Sequence, residues 1–597
     1  MDANFAGAQS PLLRSFVAGV VDYRGRPVLR SKSGSWRSAY FIIGVEVAER
    51  FAYYGISSNL IMYLTGPLGQ STATAAENVN VWTGTASLLP LVGAFVADAF
   101  LGRYLTITIA SLLYILALGL LALSTLLPSD CETATVGASS CSPRLQVVTF
   151  FISLYLLALA QGGHKPCVQA FGADQFDSDN PEECKAKSSF FNWWYFGLCA
   201  GPTVGIFVVS YIQDTLSWAL GFGIPCIIMG LALLIFLSGT TTYRFAEKTE
   251  EKSPFTRIGR VFVKAARNWR ITPSAVEQEC GTFPDQDSQQ FSGKGVDVIR
   301  GEHRNRVPVF GTGTAMEPPV PEPEPIFLNK ALVSPNGSEE DRTICSLDEV
   351  EEAKSVLRLV PIWASCLGYA IVFAQAGTLF TKQGSTMDRS IGPSFKIPPA
   401  TLQSFIGLSI IIIIPIYDTL FVPLARSLTT RPSGITTLQR IGTGIVLSIL
   451  SMVVAGFVEM KRLETAREYG LADDPGAVIP MKIWWLLPQC LLSGAGDVFT
   501  IVGMQEFFYD QVPSDLRSIG LALYLSVLGV GSFMSGFLIF VVEKTTGGNG
   551  EDGWISDNMN RGHIDYFYYL LAGISAGAFV IYIYAAKSYV YNRGTAL

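Results

Sequence analysis

The feature that most constrains the fold is a series of apolar runs, each about 20 residues long, which is the length of an α-helix that crosses a bilayer. Only 15% of the residues are charged, against roughly 25% in soluble domains. The chain is therefore predicted to be an all-α membrane protein. Twelve transmembrane helices are predicted near residues 39–64, 78–99, 104–127, 144–170, 188–212, 217–239, 354–381, 397–424, 434–458, 480–508, 516–541 and 563–587.

The spans fall into two groups of six, which predicts two six-helix bundles at residues 39–239 and 354–587. Similar tetrapeptides end the fourth and tenth spans, at Ala173–Phe176 and Tyr509–Val512, as expected if the two halves are parallel repeats. Flanking these bundles, an N-terminal arm (1–38) and a short tail (588–597) are predicted to be cytoplasmic.

The segment 240–353 between the two bundles is predicted to be a cytoplasmic loop. Its first part, Ser253–Arg270, is typical of a basic amphipathic helix that lies on the membrane surface. Residues 292–326 contain alternating Pro and Glu, which favours a disordered insert.

Lysine and arginine are concentrated in the N-terminal arm and the central loop, while the 65–77 loop has none. The positive-inside rule therefore places both termini in the cytoplasm. The 459–482 loop, which holds four Lys or Arg residues, conflicts with this orientation. On the outer side, Cys131 and Cys141 share one loop, where they form either a disulfide or two free thiols.

Glu46, Glu49 and Arg50 stand inside the first span, and their i, i+3, i+4 spacing puts them on one helical face. A charge in the middle of a membrane costs roughly 2.5–3.5 kcal/mol or more, so such groups face a wet cavity or one another. They form either a functional site or an ion cluster that only holds helices together.

Two further charges are predicted within spans: Lys165 late in the fourth and Asp497 in the tenth. Lys165 can pair with the first-span charges or with Asp497, which makes it either a two-state element or part of a permanent ion pair. Its neighbour His164 is either a proton carrier or a packing residue. Asp98 and Arg103 flank the turn after the second span and are interpreted as a conformational latch.

Several classes of function are excluded by the sequence. It has no nucleotide-binding glycine loop, no catalytic motif and no metal-ligand spacing, so an enzyme and a metal site are not expected. A net charge of −6 argues against nucleic acid as a partner. Without a nucleotide domain, an ion gradient is the remaining energy source.

Glu46-x-x-Glu49-Arg50 followed by Phe51–Gly55 resembles the signature of proton-coupled oligopeptide transporters, in particular the plant nitrate/peptide branch. Gly162–Asp177 and Phe190–Phe196 resemble further signatures of that family. The resemblance implies a major-facilitator fold, alternating access, and a proton gradient instead of a cofactor. It implies proton coupling at Glu46, Glu49, Arg50 and Lys165, and substrate contacts at Tyr53, Tyr54, Phe373 and Asp497.

The sequence departs from the family pattern at several places. Ser57 replaces an arginine common in peptide carriers, Phe373 replaces a histidine of some nitrate carriers, and Asp497 stands where glutamate is usual. Thr106 matches a threonine that is phosphorylated in a nitrate-carrying relative, but is interpreted as a packing residue. Relatives lack most of the 292–326 insert, which is a linker or a retained intron.

The expected function is proton-coupled symport of a small solute: nitrate, a short peptide, or an anionic hormone or metabolite. The alternative is a membrane sensor or scaffold that binds solute without moving it. The expected partners are the solute, protons and the lipid bilayer, together with a kinase acting on cytoplasmic segments. The plasma membrane and the vacuolar membrane are both compatible with the sequence.

Overall fold

A computed structural model describes ten stretches of the chain. They are residues 16–127, 144–177, 180–246, 254–269, 326–332, 345–393, 395–429, 435–513, 516–547 and 553–589. Cys131 and Cys141 and most of the 292–326 insert lie outside these stretches, so the predictions made for them stay predictions.

The N-terminal half contains six spans, and the first of them is broken into two helices. Their bounds are α1 Ser35–Ser57 with α2 Leu60–Thr65, α3 Thr72–Val96, α4 Arg103–Ser124, α5 Arg144–Ala173, α6 Pro181–Thr215 and α7 Trp218–Ser238. A π-turn, Ala97–Leu101, extends α3.

The C-terminal half repeats this plan, again with a broken first span. Its helices are α10 Val360–Phe373 with α11 Leu379–Ser385, α12 Leu402–Ile416 with α13 Val422–Thr429, α14 Thr437–Glu468, α15 Leu487–Asp510, α16 Arg517–Thr546 and α17 Ile564–Ser588. A π-turn, Tyr417–Phe421, joins α12 to α13.

Eleven helices in the described residues are long and apolar enough to cross a membrane. The first span, α1, is not among them because it carries Glu46, Glu49 and Arg50, although its 23 residues give about 34 Å, enough for a hydrocarbon core of about 30 Å. Since α1 packs against α6 and α7 inside the bundle, it completes the predicted twelve.

The two halves have the same internal packing. In the N-terminal half α1 packs on α6 and α7, and α4 packs on α5 and α7. The corresponding helices of the C-terminal half form the same pairs, α10 with α16 and α17, and α14 with α15 and α17. The halves meet through α3 against α16 and through α6 against α12, which are also equivalent pairs. The predicted six-plus-six organisation is therefore confirmed.

The short tetrapeptide similarity noted in the sequence has a structural counterpart. Gln175 follows α5 and its side-chain oxygen accepts the Arg244 N–H at 2.8 Å, just beyond α7. Gln511 follows α15 and accepts from the Tyr589 hydroxyl at 3.2 Å, just beyond α17. Each glutamine thus ties the fourth span of its half to the segment after the sixth.

Within the N-terminal arm, β1 (Phe16–Val21) and β2 (Pro27–Leu29) form a hairpin, and β1 also pairs with β3 (Phe245–Ala246) after α7. The sequence prediction missed this sheet, although an apolar run followed by Asp22–Gly25 indicates a turn. Beside the sheet, the buried Arg244 guanidinium donates to both carboxylate oxygens of Glu183 at 2.7 and 3.1 Å.

The basic 459–482 stretch, which conflicts with the predicted orientation, holds most of its cations in ion pairs. The first half of it is the end of α14, where Arg462 is fully buried and donates to Glu459 at 2.6 and 2.8 Å. Lys461 pairs with Glu464, and Lys482 of β7 (Ile479–Lys482) pairs with Asp388 of β4 (Met387–Asp388). Three of the four cations are therefore neutralised by neighbouring acids.

Between α11 and α12, the C-terminal half has one more small sheet, formed by β5 (Ser390–Ile391) and β6 (Phe395–Lys396) in antiparallel pairing.

The described residues between 254 and 358, namely 254–269, 326–332 and 345–358, form a separate compact unit. Within it, α8 (Pro254–Arg267) packs against the 3₁₀ helix Ile326–Leu332 and against α9 (Leu347–Arg358). The predicted amphipathic helix is present, but its apolar face contacts these protein segments through Val261 and Ala265. Its arginines Arg257 and Arg260 form ion pairs with acids of α9. Both faces of α8 therefore make contacts with protein.

Candidate functional site

The three charges of the first span form one buried cluster on α1. The Arg50 Nε donates to Glu46 Oε1 at 2.7 Å and lies 3.4 Å from Glu49 Oε2. The Tyr114 hydroxyl of α4 donates to Glu49 Oε1 at 3.1 Å. Glu46, Glu49 and Arg50 are 1%, 0% and 6% exposed, so water reaches none of them freely. The i, i+3, i+4 spacing that predicted a shared face is confirmed by these contacts.

Glycines of α6 allow that helix to approach α1 at the charge cluster. A Cβ on Gly201 would lie 3.0 Å from the Arg50 Cβ, and one on Gly205 would lie 2.4 Å from the Phe51 carbonyl oxygen. Real Cβ atoms do not tolerate the second contact, so residue 205 must be glycine for this packing. The close helix contact excludes water from the ion pairs and strengthens them.

Lys165 lies on α5 beside the cluster and is half-buried. The charges that act on its ammonium group are those of Arg50, Glu49 and Glu46. None of the hydrogen bonds and ion pairs found between described residues involves Lys165. It is thus close to the first-span carboxylates without being locked to either, and Asp497 is not its partner in this conformation.

A cavity of about 280 Å³ lies between the two halves. Its wall is formed by α1 and α6 from the first half and by α10, α12, α14 and α15 from the second. Tyr54, Phe373 and Asp497, three of the four predicted substrate contacts, line it. The fourth, Tyr53, does not, because its ring is buried and stacks on Trp82 at 5.4 Å.

Asp497 is buried on α15 and accepts a hydrogen bond from the Tyr369 hydroxyl of α10 at 2.5 Å. Tyr369, which was not among the residues predicted from the sequence, also lines the cavity. Its position one helical turn before Phe373 is the signal that could have found it, since residues i and i+4 share a face. The carboxylate therefore has a neutral partner and remains at the cavity wall.

Asp98 and Arg103, the pair predicted to act as a latch, form only a loose contact. The Arg103 Nε lies 3.9 Å from Asp98 Oδ1, while its Nη1 donates to Asp174 at the end of α5 at 2.5 Å. The stronger contact ties the start of α4 to α5. Thr106 is buried, and its hydroxyl donates to the Gly102 carbonyl at 2.9 Å, in agreement with a packing role.

The halves also contact each other at the outer end of the bundle, meaning the end opposite the N-terminal arm. One example is the Arg389–Asp214 ion pair at 2.9 Å. Four more hydrogen bonds join the halves in this outer part: Lys382 to Thr65, Gln403 to Ser58, Thr72 to Asp557, and Asn80 to Ser535. These contacts close the bundle on the outer side of the cavity.

Two pseudo-symmetric six-helix halves with a solute-sized cavity between them, and buried ionisable groups beside it, define a membrane transporter of the major-facilitator type. The POT family profile matches residues 104–555. The chain therefore belongs to the POT family of proton-coupled transporters, which are not enzymes, and it is a multi-pass membrane protein.

Relatives in Arabidopsis thaliana are similar over nearly their whole length. Protein NRT1/PTR family 5.10 is 60% identical over 98% of both chains, and protein NRT1/PTR family 5.14 is 54% identical over 98% of both. Among solved structures, an auto-inhibited POT family peptide transporter superposes with a TM-score of 0.67 at 21% identity. That match covers 94% of this chain and 99% of the other, and it supports the fold.

Proposed function

We propose that the chain is a proton-coupled symporter that works by alternating access, with Glu46, Glu49, Arg50 and Lys165 as its coupling group. The observation that carries this proposal is the position of the charge cluster one helical turn from the cavity. Arg50 pairs with both carboxylates, and Tyr54, four residues later on the same helix, lines the cavity wall. A change in the ion pairs therefore acts directly on the solute site.

The coupling step follows from charge balance. While Glu46 and Glu49 are ionised, they neutralise Arg50 and attract Lys165. A proton on one carboxyl removes one of these attractions and leaves a cation free to attract another group or the solute. This change in the electrostatic attractions favours a different packing of the two halves. The proton gradient supplies the energy without a cofactor, at about 2.3 kcal/mol per proton for each 100 mV.

The cavity wall favours an organic solute with an apolar body. Most of the wall is aliphatic or aromatic, and its polar groups are hydroxyls, the Cys199 thiol, one amide and the Asp497 carboxylate. The described lining residues include no Lys, Arg or His, which nitrate or a peptide carboxylate would need as a partner. Phe373 and Ser57 stand where some nitrate and peptide carriers have basic residues. We therefore rank an amphipathic metabolite, neutral or amine-bearing, above nitrate and peptides.

The plasma membrane and the vacuolar membrane both remain proposals for the site of action, and a fluorescent fusion in plant cells distinguishes them. A kinase acting on cytoplasmic segments also remains a proposal.

The test is a transport panel in oocytes or yeast at several external pH values. It contains nitrate, alanylalanine, an amphipathic amine and an amphipathic carboxylic acid. We expect acid-stimulated uptake of an amphipathic solute that is lost in Glu49→Gln. Currents that ignore both external pH and this substitution contradict proton coupling. Labelled solute that binds purified protein but never accumulates in proteoliposomes supports the sensor alternative instead.

A further inference from the structure

His164 is fully buried on α5, yet neither of its ring nitrogens has a hydrogen-bond partner among the described residues. Two carboxylate oxygens of the charge cluster, Glu46 Oε2 and Glu49 Oε2, are likewise buried without one. Buried polar atoms are nearly always hydrogen-bonded, and leaving one unpaired costs about 1–3 kcal/mol. Three such groups in one place indicate a shared ligand.

The three groups are close enough to share a small ligand. One nitrogen of His164 and one oxygen each of Glu46 and Glu49 lie within 4.8 Å of one another. Separations of this size are bridged by one water molecule or closed by small side-chain rotations. The ring centroids of Tyr114 and His164 lie 6.4 Å apart. The Tyr114 hydroxyl donates to Glu49 Oε1, which leaves Glu49 Oε2 for His164.

Charge balance distinguishes between the two ligands that this donor set could hold. Two carboxylates and an imidazole are also metal ligands. Here, however, Arg50 and Lys165 already neutralise both carboxylates. A divalent cation would add two uncompensated charges inside the membrane, while a proton adds one that histidine is suited to accept.

We propose that His164 is a proton-carrying residue of the coupling group, an inference that rests on the proposed proton-coupled function. One ring nitrogen accepts the proton of the Glu49 carboxyl, and the other ring nitrogen gives its proton to the Glu46 carboxylate. The imidazole returns to its neutral form as the opposite tautomer, and no other bond changes. The groups facing this transfer are Glu46, Glu49 and Arg50 on α1, Tyr114 on α4 and Lys165 on α5.

The test is His164→Gln in proteoliposomes, because glutamine has similar bulk and keeps hydrogen-bonding groups but cannot carry a proton. Labelled nitrate, alanylalanine, an amphipathic amine and an amphipathic carboxylic acid are first offered to the wild-type protein, and the solute that accumulates serves as the probe. Two assays are compared: accumulation driven by a pH gradient, and counterflow of the same solute without a gradient. We expect accumulation to fall by about tenfold or more, and counterflow by less than about threefold.

His563→Gln is the matched control, because it removes a histidine that lies outside the cluster, and it should behave as wild type in both assays. Equal accumulation by His164→Gln and wild type overturns the proposal. So does an equal loss in both assays by protein that keeps the wild-type melting temperature, since that pattern indicates a binding or structural role. If His164→Gln does not fold, His164→Asn decides by the same criteria. Wild-type protein that accumulates none of the probes contradicts the proposed function itself.

Discussion

At the scale of single residues, Glu46, Glu49, Arg50 and Asp497 each have a partner within the membrane. Glu46 and Arg50 are one turn apart and bond directly, so the sequence alone predicts this pair. Tyr114 and Tyr369 also hold carboxylates, at Glu49 and Asp497. The sequence could not predict these bonds, because they depend on how different helices pack.

Removing the Tyr369 hydroxyl should weaken solute binding. In Tyr369→Phe the ring remains but Asp497 loses its described hydrogen-bond partner. A hydrogen bond to a charged group contributes about 1.5–3 kcal/mol, so we expect the apparent affinity to change by about tenfold or more. The measurement is KM for uptake, with Tyr53→Phe as control because Tyr53 lies off the cavity. An unchanged KM in Tyr369→Phe would show that the bond has no part in binding.

The Asp388–Lys482 pair between β4 and β7 should stabilise the protein in a pH-dependent way. Hydrogen bonds from Lys482 and Ser390 hold the pKa of Asp388 well below its ordinary value. A lowered folded-state pKa adds stability above the unfolded-state pKa of about 3.9, and this stability is lost as pH falls.

Melting temperatures of wild type and Asp388→Asn test this. Their difference should be constant above about pH 5 and shrink below about pH 4. A second substitution, Lys482→Met, should add little to Asp388→Asn. A difference that grows with acidification has the wrong sign for this pair.

At the scale of elements, the length of the apolar runs predicted the spans, and the structure confirms them with shifts of several residues at their ends. The arm hairpin and the breaks in the first and seventh spans were missed. Apolar length cannot reveal such breaks, because α1 with α2 and α10 with α11 read as continuous runs. Lys165 illustrates a second limit: its place in α5 was predicted, while its lack of an Asp497 partner depends on the conformation.

The close packing of α6 on α1 should depend on Gly205. In Gly205→Ala the new methyl group would lie 2.4 Å from the Phe51 carbonyl oxygen, so the helices must separate. Overpacking of this kind costs about 1–3 kcal/mol. We expect a lower melting temperature and reduced uptake. Gly223→Ala on α7 is the control, since its methyl group would meet no atom within 4 Å. Equal stability of both variants would contradict the packing argument.

At the scale of the whole molecule, the halves repeat one another in packing, and their outer ends are joined. Alternating access requires these outer contacts to open in each cycle. Asp214 of α6 and Arg389 beyond α11 form one of them, at 2.9 Å. They belong to different halves and therefore report on this movement.

A cross-link at this position should stop transport. We expect Asp214→Cys with Arg389→Cys to lose uptake on oxidation and to recover it on reduction. The two single-cysteine variants, treated in the same way, control for the native cysteines. Cross-linked protein that transports at the unlinked rate would show that these ends do not separate.

The central claim, that the α1 charge cluster couples protons to solute, is tested most directly by measuring proton flux. Proteoliposomes loaded with a pH-sensitive dye receive the solute identified by the transport panel, and labelled solute entry is followed in parallel. Wild-type protein should acidify the lumen as solute enters, and Glu49→Gln should not. Solute entry by wild type without acidification, or equal acidification by Glu49→Gln, would contradict the account.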